Sequence, residues 1–182
     1  GYACHTTTIT SDSYVFNGDY AGFAQIALEE KYSGAQAMFM MLCGADQNAL
    51  PRGTVTRSQR YGERLALAVE RARARGLQAV RGPLRTAFET ATLEFQPHTR
   101  ELFETRLREG NFANKYGRRH AEAMLQAYDA GQPLREIAYP VQAVSFGDDL
   151  TMLTLAGEVV VDYALRVKRE YGREKLVVAG YS

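Results

Sequence analysis

The chain has 182 residues, 46% of them hydrophobic and 24% charged, which is enough for one soluble domain with a sizeable core. A formal net charge of +1 gives no global drive toward nucleic acid or a membrane surface, and no apolar run approaches the roughly 20 residues that span a bilayer. No signal peptide is visible. Both ends read as cuts through structure, so the chain is expected to be an incomplete piece of a longer catalytic domain, folded as a single domain over 1–182. The two cysteines, Cys4 and Cys43, have no CxxC partner; one bridge is possible, but two small buried side chains are the simpler expectation.

Residues 2–8 read as a strand running into a polar loop, with His5 able to serve as a nitrogen ligand or general base, or simply as a core histidine. Asp19 is expected to cap a helix from Tyr20 to Lys31, with Phe23, Ile26 and Ala27 on its inner face. The apolar run 35–42 has the length of a central strand buried on both faces. The loop from Cys43 to Gly53 follows it. Such loops at strand ends are where α/β sheets place their sites. Asp46 and Asn48 are therefore candidates to hydrogen-bond a substrate or orient a metal ligand, although the same residue types also build ordinary turns. The phosphate-loop pattern GxxxxGK[ST] is absent.

A basic helix is expected over 56–75, with Leu65, Ala68, Val69 and Ala72 as its apolar stripe and Gly76 as its end. Its arginines interleave with Glu63 and Glu70 and lack an aromatic platform, so a solvated face is favoured over nucleic-acid binding. Residues 83–95 alternate as a strand. Residues 98–110 and 113–130 read as a helical pair, with Leu102, Phe103 and Leu107 facing inward in the first. In the second, Tyr116, Ala121, Met124, Leu125 and Tyr128 face inward. His98 and His120 lack metal-ligand spacing and are expected at the surface. Residues 138–146 and 150–155 flank Gly147-Asp148-Asp149 as a β-hairpin. The second strand exits through Gly157 into Glu158, and a helix follows from Val159 to Tyr171. A carboxylate at that strand-to-helix junction, with His5 at a similar strand exit, would form part of a metal site if the fold joins them. A short strand over 175–179 completes an α/β fold, a central mixed β-sheet flanked by α-helices.

Three segments acquire meaning together: Tyr2-Ala3-Cys4-His5-Thr6-Thr7-Thr8, Leu42-Cys43-Gly44-Ala45-Asp46-Gln47-Asn48, and Leu155-Ala156-Gly157-Glu158-Val159 with Val177-Val178-Ala179-Gly180-Tyr181-Ser182. In this order, with Gly18-Asp19-Tyr20-Ala21-Gly22 between, they resemble the catalytic N-terminal domain of the neutral/alkaline non-lysosomal ceramidases. That family consists of zinc amidases that cleave ceramide into sphingosine and a fatty acid. The resemblance implies that His5 and Glu158 are two of four Zn2+ ligands. A further histidine is expected before Gly1 and a tyrosine after Ser182. It also implies a lipid-like amide substrate, such as an N-acyl sphingoid, and a periplasmic or secreted life. One departure bears on the chemistry. Asn48 stands where the family pattern Gly-Asp-x-Ser-Pro has serine, and an asparagine can donate a hydrogen bond but cannot act as a nucleophile. The expectation is a zinc-dependent amidohydrolase of unspecified substrate; the alternative is a non-catalytic structural or interaction domain that keeps the ceramidase-like fold.

Overall fold

The computed structural model describes residues 1–112, 114–172 and 174–180. Five helices and four strands are formed, in the order α1 (Asp19–Lys31), α2 (Val55–Ala74), β1 (Leu84–Glu94), α3 (Arg100–Glu109), α4 (Gly117–Asp129), β2 (Glu136–Phe146), β3 (Leu150–Leu155), α5 (Val161–Tyr171) and β4 (Leu176–Gly180). The sheet order is β1-β2-β3-β4. β2 and β3 are an antiparallel hairpin in register from Val141↔Leu155 to Phe146↔Leu150. β4 returns through α5 and lies parallel to β3, from Thr151↔Leu176 to Leu155↔Gly180. The sheet is thus mixed, and the expected α/β class holds.

The chain forms two compact units, residues 1–89 with 141–182 and residues 90–140. Unit 1 carries two apolar clusters. Cys4, Tyr20 and Ala21 are buried with Phe39, Ala49, Tyr61 and Leu65 around them. Cys43, Val159 and Val178 are buried beneath Leu153, Leu155, Ala164, Val167 and Leu176. Both cysteines are free thiols in these clusters. Burial pushes each thiol above its ordinary pKa, because the thiolate loses its hydration. Unit 2 packs α3 on α4 through Phe103, Ala121 and Met124.

Several expectations about local structure are corrected. Residues 2–8 and 35–42 are not sheet strands. They meet through a single parallel bridge, Tyr2↔Met41, and Met38 is 87% exposed. Apolar content suited a buried strand, but an extended segment becomes a strand only where a neighbour supplies a ladder. Asp19 is the first residue of α1 rather than its cap, and it holds φ 51. Its buried carboxylate accepts hydrogen bonds from Ile9 N (2.8 Å) and Tyr20 N (2.7 Å), which ties the preceding loop to the helix. The inner face of α1 is Tyr20, Ala21 and Ala24; Ile26 is exposed. The buried face of α2 is Ser58, Gly62 and Ala66; of the expected stripe Leu65 packs against the first cluster, while Ala68, Val69 and Ala72 are exposed. The reason is close packing. A Cβ on Gly62 would lie 2.4 Å from Phe23 Cβ and 2.7 Å from Tyr20 O, so small residues are what let the two helices approach.

In unit 2, Tyr116 and Leu102, both expected to face inward, are exposed. His98 is not a surface histidine. It is half-buried, with Nδ1 2.9 Å from Tyr128 Oη and Nε2 2.7 Å from Leu134 O. His120 is exposed, edge-on to Phe103.

Candidate functional site

The loop 43–48 is the hub of unit 1. Gly44 lets it pass against the first segment of the chain, since a Cβ there would come within 2.6 Å of Ala3 C and 2.7 Å of Cys4 N. On that side His5 N donates to Gln47 O (2.9 Å), and His5 and Asn48 form a parallel bridge. On the other side Ala45 N donates to Val159 O at 3.2 Å, and Asp46 Oδ1 accepts from Val161 N at 3.0 Å. Val159 in turn lies on Gly180 of β4, where a Cβ would be 2.6 Å from Val159 Cγ2. The loop therefore clips the His5 segment to the β3–α5 junction that carries Glu158.

This clip brings His5 and Glu158 together. His5 Nε2 lies 3.8 Å from Glu158 Oε2 and 3.1 Å from Ala45 O. The imidazole is mostly enclosed, 13% exposed, while the Glu158 side chain is 55% exposed. Two oxygens facing one imidazole nitrogen favour a positive group between them, either the proton of an Nε2–H or a cation. Gly157 holds φ 74, the left-handed turn that takes the chain out of β3 and presents Glu158 before α5 begins.

The two loop residues serve the structure in distinct ways. Asp46 places its carboxylate at the first turn of α5, and the Val161 N–H holds its pKa below the ordinary aspartate value. Asn48 Oδ1 accepts from Thr7 Oγ1 at 2.8 Å. With its oxygen engaged, the Asn48 side chain keeps an NH2 group to donate. Thr7 was overlooked as a site residue in the sequence. It lay in a run of threonines whose only visible property was β-propensity, and a partner 41 positions away leaves no local signal.

The donor set suits zinc in type, one imidazole nitrogen and one carboxylate oxygen. Two donors on one tetrahedral zinc lie roughly 3.4 Å apart, close to the separation here. Among the described residues no group of three His, Cys, Asp or Glu side chains comes together for a metal, so the pair by itself falls short of the three or four donors that zinc requires. Beside this site a cavity of about 500 Å³ opens between the first segment, α1, α2 and the loop, with Asn48 in its wall.

No sequence family and no curated protein matches the chain. Among solved structures it is similar to the neutral ceramidase from Pseudomonas aeruginosa, with a TM-score of 0.60 at 16% identity over 99% of this chain. The chain spans 36% of that protein's length. The fold is accordingly ceramidase-like.

Proposed function

We propose that the chain contributes to a zinc-dependent amidohydrolase acting on an N-acyl sphingoid or another lipid-like amide. The observation that carries the reading is the approach of His5 Nε2 to Glu158 Oε2, 3.8 Å across a fold similar to that of a neutral ceramidase. His5 and Glu158 would hold the metal together with donors outside this chain. A zinc ion there supplies Lewis-acid polarisation of the amide carbonyl and makes water nucleophilic near neutral pH. The residues of this chain then have separable tasks. His5 and Glu158 bind the ion. Asn48, fixed through its oxygen by Thr7, offers an N–H to the amide carbonyl. Asp46 is a positioning residue: it anchors the start of α5 and with it the turn that carries Glu158.

A second reading, a ceramidase-like module without catalysis, is favoured by Asn48 in place of the family serine and by the absence of a third donor among the described residues. Hydrolysis separates the two. The full-length protein is expected to release fatty acid from a short-chain ceramide or a simple N-acyl amine, to lose the activity with a chelator, and to regain it with added zinc. No release from any of these amides, with zinc present, would favour the module. Asn48→Ala is expected to lower kcat by about 10²-fold with little change in KM, as loss of a single donor to a developing oxyanion does.

A further inference from the structure

The cavity beside Asn48 has a chemistry of its own. Its walls include the rings of Tyr2, Tyr20 and Tyr61 and the side chains of Leu65 and Ala68. Two of the three phenol hydroxyls are already committed. Tyr20 Oη donates to Cys4 O, and Tyr61 Oη donates to Pro51 O at 2.7 Å. These rings therefore offer apolar surface to the cavity rather than hydrogen bonds. Its volume of about 500 Å³ falls in the range of small-molecule sites.

One charged side chain lines the same space, Arg64, which is exposed and among the described residues forms no ion pair or hydrogen bond. It does not stand alone. At about 100° per residue, Arg57, Arg60, Arg64 and Arg71 fall within a stripe of about 60° along α2. Among the described residues none of them is paired with a carboxylate, and Arg57 donates to Arg52 O at 3.1 Å. Glu70 is taken by Lys31, and Glu63 accepts from Gln59 at 2.9 Å. The helix thus holds a cationic edge, with one of its guanidinium groups at a ring-lined cavity whose wall also includes Gln47 and Asn48. An anionic head group would meet the Arg64 guanidinium at the cavity, and a cationic one would be repelled.

We propose that this cavity binds a single-chain anionic amphiphile, with its apolar chain among the tyrosine rings and Leu65 and its carboxylate or phosphate head on Arg64. His5 and Glu158 do not line the cavity, and the proposed hydrolytic site meets it through Asn48. Calorimetric titration of the full-length protein tests it, using dodecanoate and dodecyl phosphate below their micelle concentrations and dodecyltrimethylammonium as the control. Both anions, or one of them, are expected to bind at one site, and their relative affinity distinguishes a fatty-acid head from a lipid phosphate. Arg64→Gln should weaken binding by about tenfold or more. Ala68→Trp, a replacement at an exposed helical position that fills the cavity, should abolish it while circular dichroism stays unchanged. Glu158→Ala should leave the affinity as it is, which separates binding in this cavity from binding of the metal. Equal binding of the cationic amphiphile, no binding of either anion, or affinities untouched by both Arg64→Gln and Ala68→Trp would overturn the assignment.

Discussion

Asp46 carries its charge to the first turn of α5, and that placement has a pH signature. The Val161 N–H lowers its pKa in the folded state, so the carboxylate stabilises the fold above the unfolded aspartate value of about 3.9. The contribution is lost as pH falls through the lower, folded value. Asp46→Ala is therefore expected to be less stable than wild type at pH 7 and to converge on it below about pH 4, as read by urea midpoints across pH. A gap that stays constant down to pH 2 would contradict the assignment. The sequence identified Asp46 as a loop residue able to orient a ligand or a turn. It could not reveal the partner, because Val161 lies 115 positions further along the chain. Asn48 shows the same limit: its type and place were legible, but the Thr7 hydroxyl that fixes its orientation was not. His5 and Glu158 were legible because each follows a recognisable strand-like exit in a ceramidase-like order, and the fold brings them to 3.8 Å.

At the scale of elements, the close contact of α1 with α2 depends on Gly62. Alanine there gains helix propensity of about 1 kcal/mol. Its Cβ, however, would lie 2.7 Å from Tyr20 O and 2.8 Å from Ala24 N, both backbone atoms of α1. The helices would have to separate, and a net destabilisation of about 1–3 kcal/mol is expected in denaturant unfolding. Because Tyr20 on α1 and Tyr61 on α2 both line the cavity, the same change should weaken amphiphile binding. Periodicity and turn chemistry placed all five helices and the four sheet strands within a few residues of their ends. Of the features that escaped them, two are instructive. The inner face of α2 is built from Ser58, Gly62 and Ala66, residues that rank low in hydrophobicity and are chosen for their size. The run 35–42 reads as a buried strand from its continuous apolar character and length, yet its single bridge at Met41 leaves Met38 in solvent. Composition records what a segment would bury, not whether a neighbour is there to cover it.

For the whole molecule, both proposed metal donors, the hub loop and the cavity belong to unit 1, and the α3–α4 pair forms the core of unit 2. Phe103 is 2% exposed at the centre of that pair. Phe103→Ala should cost about 3–5 kcal/mol locally, seen as faster hydrogen exchange across residues 100–129, with metal content unchanged. Among the described residues no helix is long and apolar enough to cross a membrane. The central claim is that His5 and Glu158 are two donors to one zinc ion, and metal analysis tests it most directly. The full-length protein, purified without chelator, is expected to contain about one zinc per chain, and His5→Ala and Glu158→Ala are each expected to lose most of it while keeping their circular dichroism. Wild-type protein free of zinc after dialysis against the metal, or either variant retaining a full equivalent, would contradict the account.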